Sequence, residues 1–194
     1  MSFPEMLFNG MIENWQYWLV SIVLIVAAVI DGIQLKVPNW LTFPMIFSGW
    51  IFSAITYGMA GEGWYIGLGW SLAGTAIGLA LLLPAYAIGG MGAGDVKLMA
   101  GIGAWVHCWI TFYAFCLSAI IGAIIAIGMV VIAGKTKKHK SQFVSIVNEI
   151  MTVRNPETLA TIAAERKSTM MLLPYGIPIC IGTIGYFAWM GLLI

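Results

Sequence analysis

Six apolar stretches, near residues 15–30, 40–57, 64–88, 96–109, 111–133 and 171–193, occupy most of this 194-residue chain. A helix needs roughly 20 apolar residues to cross a hydrocarbon core about 30 Å thick. Lipid offers no partner to an exposed peptide group, so each stretch must satisfy its own backbone hydrogen bonds, and these runs do so as helices. The chain is 61% hydrophobic and 9% charged, far more apolar than the core of a soluble domain requires. The expected fold is all-α: a polytopic membrane helix bundle of about six transmembrane helices, forming one domain over residues 1–194.

The charges then fix its direction. If Lys36 faces the cytoplasm, alternate crossings bring Lys97, Lys135, Lys137, Lys138, Lys140, Arg154, Arg166 and Lys167 to the same side. All the basic residues then lie inside, as the positive-inside bias requires. Glu5, Glu13 and Glu62 fall outside, and both termini lie on the non-cytoplasmic side. Trp15, Trp18, Trp64, Trp105 and Trp109 are expected in the outer aromatic belt and Trp40 in the inner one. The opening MSFPEMLFNG lacks a basic region, so no cleaved secretory signal is expected. The polar stretch 134–170 is a cytoplasmic loop in which QFVSIVNEIMTV could form an amphipathic helix.

Helix packing is marked by small residues, Gly74 and Gly78 in the third stretch and Ser118, Gly122 and Ala126 in the fifth. Cys108, Cys116 and Cys180 stand singly in apolar segments with no CxxC pair, which indicates neither a zinc site nor a disulfide framework. No metal or cofactor is expected. His107 lies at an outer turn and His139 among surface lysines.

Two acids adjoin the cytoplasmic ends of spans, Asp31 and Asp95, and near-membrane carboxylates are functional candidates because their burial is costly. Sixteen residues from Trp15 to Ile30 give roughly 24 Å of helix, which draws Asp31 below the headgroups, and the short fourth span draws Asp95 to the same layer. Asp31 follows a helix and meets its negative end, whereas Asp95 precedes one and can cap its positive end. Two carboxyl groups so placed, sharing a proton, are what aspartic proteolysis needs. Gly89, Gly90, Gly92 and Gly94 allow positive φ and close approach of a substrate backbone beside Asp95; a flexible hairpin loop with an ordinary capping aspartate fits the same stretch. Asn39 either caps the helix after Pro38 or bonds the Asp31 loop. Pro174 and Pro178 either leave carbonyls unpaired toward the site or simply start the sixth helix. Lys36 and Lys97 read as markers of topology.

Asp31 followed by GIQLKVPN, then GMGAGDVKL with Gly92-Ala93-Gly94-Asp95, and lastly Pro174-Tyr175-Gly176-Ile177-Pro178, together resemble the signatures of the GxGD-type aspartic membrane proteases, specifically the type IV prepilin peptidases. The likeness runs from about residue 17 to 193. It implies a multi-pass enzyme of the bacterial inner membrane that removes a short basic leader from prepilin-like precursors at the cytoplasmic face, typically cutting after a glycine and before the hydrophobic segment. It implies Asp31 and Asp95 as the catalytic pair, Gly92 and Gly94 as shaping the loop, and Lys36, Asn39, Pro174, Tyr175 and Gly176 as candidate substrate contacts. The partners implied are precursor proteins and the lipid bilayer, with no nucleic acid; the oligomeric state is left open. Larger bifunctional members carry a cytoplasmic insertion with paired CxxC motifs and N-methylate the new terminus. This chain has neither, so it resembles the short peptidases of tight-adherence (Flp-type) pilus systems, and no methyltransferase activity is expected. Lys36 is the single basic residue between Asp31 and Val37, where family members often carry several. The rival from another class is a cation-coupled membrane transporter with the aspartates as its ion site.

Overall fold

A computed structural model describes residues 14–87, 90–132 and 174–193, and the described residues form helices joined by short turns. Five helices follow one another: α1 (Trp15–Gln34), α2 (Asn39–Met59), α3 (Trp64–Ala87), α4 (Ala93–Ile132) and α5 (Gly176–Trp189). The first four are long and apolar enough to cross a membrane. Between 22% and 33% of their apolar windows is buried inside the protein, so most of the apolar surface faces outward, where only lipid can accept it. This is the all-α membrane bundle the sequence predicts.

α4 is bent. At His107 the backbone takes φ 62° and ψ −168°, a region that non-glycine residues rarely enter. The bend divides α4 into a first limb, 93–106, and a second, 108–132. Met99 of the first limb and Phe115, Ala119 and Gly122 of the second line one cavity, so the second limb returns alongside the first. The expected stretches 96–109 and 111–133 are therefore the two limbs of one bent helix, turning at residue 107 without glycine or proline. The expected sixth stretch, 171–193, contains the 14-residue α5, about 21 Å long. The amphipathic segment expected within 134–170 lies outside the described residues, as does Gly89.

The first limb is the centre of the bundle: Leu98, Met99, Ala100, Ile102 and Ala104 are wholly buried. Small residues bring its neighbours in. A Cβ on Gly74 of α3 would strike the backbone of Gly103, and one on Gly78 the carbonyl of Met99. Gly49 of α2 packs on Ala104 in the same way, and Trp105 donates its indole N–H to the Met45 carbonyl at 2.9 Å. Gly182 of α5 packs on Ser118 and Pro178 on Gly122 of the second limb. The glycine and serine steps of the third and fifth stretches are thus contacts between helices.

These pairs also fix direction. α1 and α5 are antiparallel, since Tyr17 meets Phe187 at 5.2 Å while Asp31 meets Gly176. α2 runs parallel to the first limb, from Asn39 beside Lys97 to Ser53 beside His107. Trp15, Phe52 and Trp105 cluster at one end, with ring centroids 4.9–5.9 Å apart. Asp31, Asn39, Asp95 and Gly176 gather at the other.

Candidate active site

Asp31 lies inside the last turn of α1, one turn deeper in the helix than a span ending at residue 30 would place it. α1 continues to Gln34 because Leu35 turns to φ 52° and returns its N–H to the Asp31 carbonyl at 2.8 Å. The side chain is 3% exposed, and its Oδ2 accepts the backbone N–H of Gly176 at 2.7 Å. Gly176 opens α5, and its amide is one of the donors that a helix start leaves without an internal partner. Asp31 therefore meets the positive end of α5 as well as the negative end of its own helix. The contrast in local field that the sequence predicts between the two aspartates is offset by a partner 145 residues away.

Asp95 is the third residue of α4 and is 5% exposed. Its Oδ2 accepts the N–H of Gly92 at 3.1 Å, the acidic half of a capping box, in which a side chain in the first turn reaches back to the residue before the helix. The glycines beside it do not all need the conformational freedom expected of them. Among the described residues the glycines with positive φ are Gly61, Gly63 and Gly191, so Gly92 and Gly94 are not needed for left-handed backbone. Gly94, already helical, is needed for close approach: a Cβ there would sit 2.6 Å from the Val37 carbonyl oxygen. That contact presses the start of α4 against the segment that follows Asp31.

Between these two segments lies a polar cavity of about 290 Å³. Lys36, Val37 and Asn39 form one wall, and Gly92, Gly94, Asp95 and Lys97 the other. The segment 174–176 closes the arrangement. Gly176 holds Asp31, and Tyr175 comes just before it in sequence. The Pro174 and Tyr175 carbonyls accept the N–H groups of Ile177 and Ile179 at 3.2 and 3.1 Å. They are thus used within the helix start, and proline here begins α5 without exposing a carbonyl to the site.

The structure therefore gathers Asp31, Asp95, Gly92, Gly94, Lys36, Asn39, Tyr175 and Gly176 at one end of the bundle, with Pro174 adjoining them. Lys97 belongs with them and reads from sequence only as a topology marker. Its ammonium donates to Asn39 Oδ1 at 2.9 Å and lies 4.7 Å from the centre of the Phe43 ring, tying α2 to α4. Asn39 makes no side-chain cap; Lys97 takes its carbonyl instead. The signal available was that Asn39 and Lys97 are polar residues flanked by apolar ones at the same end. His107 lies at the far end, its ring bonded to Ser53 at 2.7 Å. Among the described residues no His, Cys, Asp or Glu cluster could hold a metal.

Chemically, two buried carboxyl groups at one end of a membrane bundle, each held at one oxygen by a backbone amide, suit general acid–base work on a peptide bond. The model of the type IV leader peptidase family matches residues 18–127. A prepilin leader peptidase/N-methyltransferase of Aeromonas salmonicida is 31% identical over 121 residues, which cover 59% of this chain and 39% of that protein. A protein of the same description from Aeromonas hydrophila is 29% identical over 121 residues, with the same coverage of 59% and 39%. The match thus spans about two fifths of the length of these relatives. No solved structure matches the chain.

Proposed function

Because the chain belongs to the type IV leader peptidase family, we propose that it is a membrane-embedded aspartic endopeptidase that cuts short basic leaders from prepilin-like precursors at the cytoplasmic face of the bacterial inner membrane. Asp31 and Asp95 are the reacting pair. One carboxylate takes a proton from water as the water oxygen attacks the scissile carbonyl carbon, while the other, protonated, donates to the carbonyl oxygen. The tetrahedral carbon then expels the amine, which leaves with a proton returned by the pair.

The observation that carries this reading is the brace at 174–176. It bonds Asp31 through Gly176 at the end of the bundle where Gly94, next to Asp95, packs on Val37, and this supports reading the two acids, 64 positions apart in sequence, as one pair. The polar cavity beside Asp95 gives an extended peptide room without a helix. Lys36 lines it and repels a cationic side chain placed there. The cavity therefore takes the backbone around the cleaved bond, and the basic residues of the leader lie toward the surface.

We assign no N-methyltransferase activity to these 194 residues, which contain no CxxC pair, and we place the enzyme with the Flp-type peptidases on the same ground. Family membership favours peptide hydrolysis over ion-coupled transport. The test is co-expression with small prepilin precursors, reading the leader by mass. Asp31→Asn and Asp95→Asn each abolish the mass shift, although both keep a side chain of the same shape. A shift that persists in either variant removes that residue from the pair, and one that persists in both overturns the reading.

A further inference from the structure

A second cavity, of about 330 Å³, opens on the membrane side of the site. Phe115, Ala119, Gly122 and Ala126 line it along the second limb of α4, a spacing that keeps one helix face over 11 residues, roughly 16 Å. Leu81 and Ala85 of α3 form the opposite wall. This is a groove, longer than any one side chain. Met91 and Tyr175 also line it, the first adjoining Gly92 in sequence and the second adjoining Gly176, whose N–H bonds Asp31. The Ser118 hydroxyl on its wall is already donated within the bundle, to the Ala114 and Ile179 carbonyls at 2.7 and 3.4 Å.

We propose that this groove seats the apolar helix of the precursor immediately beyond the cleaved bond, which makes it the part of the site that selects membrane-anchored substrates. The inference rests on the peptidase reading and adds the place where the uncut part of the substrate is held. Three features point to a peptide helix over an acyl chain. The groove is continuous with the aspartate end. Its second-limb wall is small-residued at Ala119, Gly122 and Ala126, which lets a helix backbone approach in lipid, where packing and not water exclusion drives association. Its length runs along the bundle and so suits a span. A substrate seated there crosses from apolar groove to polar cavity at Asp95, where its helix must unwind to expose a peptide bond.

The test uses purified chain in phosphatidylethanolamine–phosphatidylglycerol vesicles with a synthetic peptide, a basic leader joined through glycine to an apolar helix. Ala119→Leu fills the groove and is expected to raise KM about tenfold, equivalent to about 1.4 kcal/mol, with little change in kcat. Ile124→Ala, on another face of the same limb and 64% exposed, leaves both unchanged. As a readout independent of turnover, a benzophenone side chain is placed in turn at positions 119 and 124 of the Asp95→Asn variant. A peptide adduct at 119 and not at 124 supports the proposal. Lipid adducts alone at 119, or an unchanged KM for Ala119→Leu, overturn it while leaving the peptidase reading intact. Failure of the unsubstituted chain to cut this peptide counts against the peptidase reading itself, and peptide adducts at 119 would then still report the groove.

Discussion

At the scale of single residues, Gly176 carries more than a motif reading assigns it. A Cβ added there would lie 2.9 Å from both Cβ and Oδ2 of Asp31, closer than real side chains approach, and α5 cannot move away without losing the amide that holds the carboxyl. Gly176→Ala is therefore expected to lower the leader-cleavage rate at least about tenfold, the usual scale when one donor or its geometry is lost at a reacting group. Gly185→Ala, whose Cβ would meet Leu117 at an ordinary 3.7 Å, is the control. Equal rates for the two variants would detach Gly176 from the site. The aspartates themselves were legible in the sequence, because a carboxylate at the end of an apolar run is costly and conspicuous. The bond from Gly176 to Asp31 was not, since it joins positions 145 apart and depends on which way α5 runs. Lys97 was hidden for a related reason: a lysine at a helix end satisfies topology, and nothing local announces Asn39 as its acceptor.

At the scale of helices, the bend at His107 falls within a few residues of the break that the sequence places between residues 109 and 111. The apolar run from Ala93 to Met129 is 37 residues long and contains no proline, so its length shows that it must turn, near residue 110 and with His107 at the turn, without showing what holds the turn. The turn falls where tertiary partners wait. Ser53 bonds the imidazole, and Thr111 donates its hydroxyl to the His107 carbonyl. The backbone there, φ 62° with ψ −168°, is open to glycine and strained for any residue with a Cβ, at roughly 1–3 kcal/mol. His107→Gly and His107→Ala both lose the bond to Ser53, so their difference isolates the backbone. The glycine variant is expected to be the more stable by about 1–2 kcal/mol, measured by unfolding in mixed micelles. An alanine variant equal to or more stable than the glycine variant would mean that the bend is not strained. The helix contacts, by contrast, were legible, because Gly74, Gly78, Ser118 and Gly122 repeat at spacings that keep one face.

At the scale of the whole molecule, packing directions give the charge pattern a geometry. α1 opposes α5, α2 parallels the first limb of α4, α3 opposes that limb, and the second limb opposes α5. Those relations bring Lys36, Lys97, Asp31 and Asp95 to one end of the bundle and Trp15 and Trp105 to the other. The positive-inside bias supplies the sign that packing alone cannot, since a bundle inverted as a whole has the same contacts. Single cysteines at positions 36 and 62, in a background with Cys108, Cys116 and Cys180 replaced by serine or alanine, turn the orientation into a measurement. A membrane-impermeant maleimide added to intact spheroplasts is expected to label position 62 and spare position 36, with the pattern reversed in inverted vesicles. Labelling of position 36 from outside would put the aspartates on the wrong face for a cytoplasmic leader. Labelling of both positions from one side would break the odd number of crossings between them, with α2 as the single span that separates Lys36 from Glu62.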